Sequence, residues 1–453
     1  MSKNRLHICL LFVWMVAAVS VARAQEETAS PRKLPARLDE AIEVALQNRL
    51  EVAIAAQQST SAAHRVTVAR GNFLPQLSLS GTSRYIRSLD KFSGIAADAR
   101  LGDQTFHVSV QKDLPSYELN AGLDLTYNIF SGGQDTAGLD ESIAAQNALR
   151  QEEAATRLKV SLEVMNAYWQ LRKSQILSRV AERANLYATK QFLITQTKRA
   201  AGVISELAAE TEALSMRENM LAVADARREV ARSLARFRES LGLDGSDPLL
   251  PAAEPVVLID DPDRVGEAAV MPAAERPQTR RLIAETVAAE ARVKAAQAAY
   301  LPRIDFFSSY KMVGRNDDYF KSARLRPDYY TVGVTLSFTL FDGFKERIAL
   351  AQAEEEIARL RLRQNRRDLE AQNSDQAVAK EKSHQEVQLA ELRTKLAAMK
   401  KNLAEEMYRN GKIAEIDLRE AEKNHDDFVD KLLIAKIDLA VARQSIAMNN
   451  RRN

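Results

Sequence analysis

Asp417 and Glu420 stand one helical turn apart in YRNGKIAEIDLRE (408–420), six and nine residues after Gly411. Paired carboxylates are the raw material of general acid–base catalysis. Nothing in the sequence completes such a site. The chain holds 61 acidic residues, many in long helical runs, so the pairing for catalysis arises by chance and the plain alternative is a solvated helix face. Beyond the first residues the histidines are His64, His107, His384 and His425, and none lies at ligand spacing from another. There is no HExxH, no paired-cysteine motif and no phosphate-binding loop. GNFLPQLSLSG (71–81) is not a GxSxG elbow, and the methionines are scattered. The expectation is no enzyme, no cofactor and no metal site.

The net charge of +3 is balanced between many acids and bases, without the one-sided basic excess of a nucleic-acid protein. The charge run LRLRQNRRDLE (360–370) reads as a solvated helix face. At the N-terminus, Lys3 and Arg5 precede an apolar stretch from Ile8 to Val21, and Ala22 and Ala24 stand before Gln25. This is the pattern of a secretory signal over 1–24. It is short for a membrane span of about 20 residues. Cys9, the sole cysteine, lies inside the apolar stretch. It is badly placed for lipidation, and the mature chain would carry no thiol or disulfide. No later segment reads as a transmembrane helix.

The elements that must position the acid pair form a duplication. GNFLPQLSLSGTSRY (71–85) matches AAYLPRIDFFSSYKM (298–312), LTYNIFSGG (125–133) matches VTLSFTLFDGF (334–344), and GVISEL (202–207) matches GKIAEI (411–416). The offset is larger for the first pair than for the other two. The extra length therefore lies between the first two strands of the first half and marks a surface loop. Each half reads as helix, strand, loop, strand, very long helix, glycine break, long helix. The first repeat spans 25–243, with strands near 74–86 and 117–131 and a hairpin tip at about 202. The second spans 276–453, with strands near 302–312 and 330–342 and a tip at about 411. The proline-rich segment 244–275 connects them as an irregular, surface-packed connector.

The opening helices cover Leu38 to Asn72 and Arg276 to Ala299. The patterns from about Asp135 to Ala201 and from Lys345 to Asn410 contain no proline, and each would extend ~100 Å as a helix. Leu158, Leu162, Met165 and Trp169 form a coiled-coil seam, as do Leu392, Leu396, Met399 and Leu403. Both seams are expected in the core. The strands alternate. Leu119, Ala121, Leu123, Leu125, Tyr127 and Ile129 oppose polar neighbours, and so do Val332, Val334, Leu336, Phe338 and Leu340. Each is about 9–11 residues, enough to cross a bilayer when tilted, and aromatics gather at the strand ends. Four strands cannot close a barrel when the smallest membrane barrels have ~8, and lipid tolerates no open sheet edge. Strands in a membrane would require oligomerisation, with a dimer and a trimer both open on these grounds.

The chain resembles the TolC-like outer-membrane factors of efflux pumps and type I secretion systems. The resemblance rests on LDEAIEVALQNRLEV (38–52), FLPQLSLSG (73–81), YNIFSGG (127–133), AYLPRIDF (299–306), LSFTLFDGF (336–344) and YRNGKIAEIDL (408–418). It implies a mainly α fold with a β-barrel part. A trimer would form a 12-stranded outer-membrane barrel on a 12-helix α-barrel tunnel across the periplasm. The loops at about 86–116 and 313–329 would face outside. The partners implied are a homotrimer, a periplasmic adaptor, an inner-membrane pump of RND, ABC or MFS type, and outer-membrane lipid, with no nucleic acid. The pump would supply the energy.

The resemblance also gives the glycine breaks a role. The tips form the periplasmic entrance and splay when the pump and adaptor dock. Asp417 and Glu420 fall at the acidic constriction of such proteins, although the second acid there is usually Asp. Tyr408 matches a tyrosine that ties the tips together. Gly202, Val203, Ile204, Gly411, Lys412 and Ile413 mark the tips and the adaptor-docking surface. The salt bridge that locks some relatives cannot form, because its positions are Ile413 and Ala208. A periplasmic or surface coiled-coil structural or adaptor protein is the alternative. It explains the helices but not four strands with one lipid-like face.

Overall fold

The computed structural model describes residues 34–86, 96–101, 104–109, 116–243, 261–262, 272, 275–316, 326–339 and 343–449. The signal sequence, most of the connector, and Leu340 lie outside the described residues. The fold is mainly helical. The expected first helix is two, α1 (Leu38–Asn48) and α2 (Leu50–Gly71). Arg49 breaks them apart with an extended backbone. Its guanidinium bonds to Glu163 at 3.0 Å, tying the break to the next long helix.

Strands β1 (Gln76–Ile86) and β4 (Ser116–Phe130) pair antiparallel. Between them the longer first-half interval carries a two-stranded ribbon, β2 (Ala96–Leu101) and β3 (Gln104–Ser109), rather than loop alone. In the second half β5 (Arg303–Asn316) pairs with β4 and with β6 (Arg326–Ser337). β6 both starts and stops earlier than the alternation suggested, and Phe338 continues past its end. The sheet order is β1-β4-β5-β6.

Period-two alternation divides the sheet cleanly. The cross-strand rows Leu79–Leu123–Tyr310–Tyr330 and Leu125–Ser308–Val332 lie on one face. Asp124 pairs with Ser309 on the other and accepts a hydrogen bond from its hydroxyl. A bulge between Asn128 and Phe130 brings Phe130 opposite Ile304. Ile129 therefore leaves the row in which simple alternation placed it.

The long helices follow from proline-free runs of Ala, Glu, Leu, Arg and Lys, all strong helix formers. They are α3 (Gln134–Ala200, 67 residues) and α6 (Phe344–Arg409, 66 residues). Each turns back into a 35-residue helix, α4 (Glu206–Ser240) or α7 (Glu415–Asn449). The opening helix of the second half is α5 (Pro277–Ala298), with proline in its first turn. Beneath the sheet the packing order is α2-α3-α5-α6, and towards the tips it is α4-α3-α7-α6. α3 and α6 run through both layers.

The core sits midway along α3, where α1, α4 and α7 converge. Trp169, Tyr168, Met165, Phe237 and Ile437 are fully buried there. Tyr168 meets Trp169 edge-on at 5.4 Å and donates to the Ala36 carbonyl. Of the first seam, Met165 and Trp169 are core while Leu158 and Leu162 pack partly buried against it. The second seam is not core within one chain. Leu392, Leu396, Met399 and Leu403 are 53–69% exposed, because no described element packs over that side of α6. No described helix is long and apolar enough to cross a membrane.

Candidate functional site at the hairpin tips

Both tips close by the same device. Gly202 has φ 71° and Gly411 has φ 68°. The Val203 N–H donates to the Lys198 carbonyl and the Gly202 N–H to that of Arg199. Lys412 and Gly411 repeat this with Met407 and Tyr408. These are Schellman closures, which place a left-handed residue just past a helix end and so favour glycine. Val203 and Lys412 are exposed beyond the turns, and Ile204 and Ile413 are half-buried. The Tyr408 side chain is exposed.

The next helices start in complementary ways. Ser205 caps α4 by accepting from the Ala208 N–H. In α7 the cap position is Ala414, which has no side-chain acceptor, and Asp417 reaches back to accept from the Ala414 N–H at 3.1 Å. The two halves thus each use one arm of a capping box. Asp417 holds the start of α7 as well as carrying charge.

The acids of α7 divide by face. Arg419 pairs with Glu415 at 3.3 Å and Glu422 at 3.6 Å, which neutralises one side of the helix. At ~100° per residue, Asp417 and Glu420 project from the opposite side, and both are exposed. They line a groove of about 440 Å³ with Phe428, facing Arg393, Leu396 and Lys400 of α6. The first tip is strapped differently, by Arg199 with Glu206 at 2.8 Å and Glu210 at 3.8 Å.

Sequence reasoning missed Tyr187, a lone tyrosine in a helical run with no motif around it. It lies on α3 beside Glu420. Burial, then the charge and hydrogen bonding of Glu420, then Asp417 and Glu212, push its hydroxyl pKa above the ordinary value. Lys423 stands 5.0 Å over its ring. Tyr187 ends a polar ladder between α3 and α7. Trp169 donates to Gln444 at 2.7 Å, Lys173 pairs with Asp438 at 2.9 Å, and Arg183 pairs with Asp430 and, at 3.6 Å, with Asp427. Burial pushes the Asp427 carboxyl up despite Lys423, Arg183 and Lys431 nearby. The ladder joins the two halves of the chain.

The family model described as outer membrane efflux protein matches residues 41–243 and 271–448. The chain belongs to the outer membrane efflux protein family. Protein CyaE of Bordetella pertussis is 25% identical over 244 residues, 52% of this chain and 49% of that protein. The chain thus matches about half the length of that relative. Three solved structures share the fold. The Campylobacter jejuni CmeC outer membrane channel has a TM-score of 0.73 at 15% identity, covering 94% of this chain and 90% of that one. The outer membrane protein VceC of Vibrio cholerae gives 0.69 at 16%, with 90% and 94% covered. The open state of the Neisseria gonorrhoeae MtrE outer membrane channel gives 0.66 at 17%, with 95% and 96% covered. The family is one of outer-membrane efflux proteins and these neighbours are outer-membrane proteins, consistent with a protein that is not an enzyme.

Proposed function

We propose that the chain is the exit duct of a tripartite efflux pump or type I secretion system. It conducts substrates passively from a periplasmic entrance to the cell exterior when an adaptor and an inner-membrane transporter open it. The observation that carries this is the shared openness of its two layers. The sheet ends at β1 and β6, and the helices end at α2 or α4 on one side and α6 on the other. Every layer is open on the same two sides, first half on one and second half on the other. One sheet face is apolar and exposed at Leu77, Leu79, Val332, Val334 and Leu336. An apolar outer band with polar residues inside is the pattern of a membrane barrel.

Open edges joined head to tail make a ring when the rotation closes. Three copies close twelve strands above and twelve helical strands below. The leader over 1–24 exports the chain, the repeats over 25–243 and 276–453 supply the staves, and 244–275 links one repeat to the next in sequence. At the tips, Gly202, Val203, Ile204, Gly411, Lys412 and Ile413 form the surface that the adaptor grips, and Tyr408 belongs to the gate, tying the tips together. Three copies each of Asp417 and Glu420 ring the mouth, where like charges in a constriction draw cations and repel anions. The transporter supplies the energy, whether of RND, ABC or MFS type.

Fractionation of expressing cells tests the placement. The protein is expected in outer membranes, released only by detergent. Release by osmotic shock or salt would contradict the duct and favour a periplasmic coiled-coil protein.

A further inference from the structure

The internal duplication assigns a residue-by-residue register to the contact between copies, and this rests on the duct reading above. α4 and α7 have equal lengths, and α3 and α6 end at equivalent tip positions. Near the tips each first-half residue therefore has its counterpart 209 positions later (411 − 202). Ala188 and Ala397, related by this step, are both buried. Within one chain α3 packs antiparallel on α7, with Lys173 opposite Asp438, Arg183 opposite Asp430 and Tyr187 opposite Lys423. The corresponding neighbours α6 and α4 are the two open edges of the helical layer and do not pack on each other.

We infer that α6 of one copy packs on α4 of the next in the register of the α3–α7 ladder. Carrying the three rungs across sets Lys382 against Glu229 of the partner subunit, Leu392 against Leu221 of the partner subunit, and Leu396 against Leu214 of the partner subunit. The ion pair stays an ion pair with the signs in the same order. The other two polar rungs become leucine on leucine, and these four leucines are 53–65% exposed in the single chain. The cover for them is thus a second copy of this chain. Among the described residues, Lys382 and Glu229 hold short-range pairs on their own helices, with Glu386 at 3.9 Å and Arg232 at 3.1 Å.

The two seams also differ in a way that enforces order. α7 carries Asp430 and Lys423 where α4 carries Leu221 and Leu214. A second copy's α7 set on the leucine seam of α6 would bury unpaired charge, and a second copy's α4 set in place of α7 on the Arg183 side of α3 would leave Arg183 without a carboxylate. The polar seam is confined to one chain and the apolar seam to the joint between chains.

Cysteine pairs read the register directly in protein purified from outer membranes in detergent, whose one native cysteine, Cys9, lies in the leader. Leu392→Cys combined with Leu221→Cys is expected to give disulfide-linked two- and three-chain species on mild oxidation. The yield should exceed at least fivefold that of Leu392→Cys with Leu207→Cys, which lies two heptads out of register. Equal yields, or more product from the displaced pair, in protein that native mass spectrometry shows to be oligomeric would overturn the register while leaving the duct intact. A wild-type protein that is monomeric in the outer membrane would overturn both. Should the cysteine pair block assembly, charge reversal decides. Lys382→Glu should reduce the oligomer fraction severalfold and Glu229→Lys in the same chain should restore it; no rescue would count against the pairing.

Discussion

Trp169→Ala is expected to be the most destabilising single substitution in the helical layer, at about 3–5 kcal/mol. Trp169 is 1% exposed where α3 meets α4 and α7. Its removal opens a cavity beside Tyr168, and the rigid crossing of helices limits collapse into it. It also removes the partner of Gln444, which accepts the indole N–H at 2.7 Å and is half-buried, so the lost hydrogen bond adds about 0.5–1.5 kcal/mol. Trp169→Phe keeps most of the volume and should lose mainly that hydrogen bond. Thermal unfolding in detergent, followed by circular dichroism, should show a large drop in midpoint for alanine and a small one for phenylalanine. Similar midpoints for both would show that the convergence on α3 is not the stabilising core.

Gly132→Ala is expected to cost clearly more than Gly343→Ala, although the sequence repeat aligns the two glycines. Both have positive φ, 65° and 61°, and an L-residue there costs ~1–2 kcal/mol. Only Gly132 is also crowded. A Cβ would lie 2.6 Å from that of Leu301 and 2.8 Å from the Ala298 carbonyl oxygen, whereas Gly343 has nothing within 4 Å. Overpacking adds about 1–3 kcal/mol. The contact is where the turn after β4 meets the turn before β5, so it joins the halves at the junction of sheet and helices. The same unfolding assay checks it, and equal losses for the two variants would contradict the packing.

Much of this architecture is written locally. Alternation in 118–130 and 331–339 marks the strands, proline-free runs mark α3 and α6, and the glycines mark the tips. What escaped was set by contacts distant in sequence. The break at Arg49 depends on Glu163, more than a hundred residues away. The bulge that removes Ile129 from its row depends on β5. The seam Leu392–Leu403 has a core-like period but faces outward, because period reports that a face must be covered and not by which chain. At the tip, the spacing of Asp417 and Glu420 was legible, but not that one caps α7 and the other lies beside Tyr187. A charge pattern names a face, and only the fold decides which acids are neutralised on it, here Glu415 and Glu422 by Arg419.

The most direct test of the duct and its mouth is single-channel recording of the purified protein in planar bilayers. Wild type is compared with the combined Asp417→Ala and Glu420→Ala variant. The expected result is a low, cation-selective conductance in wild type that loses its selectivity in the variant. A selective channel unchanged by the substitution would move the constriction away from these acids. No conductance at all from folded, oligomeric protein would contradict the duct itself.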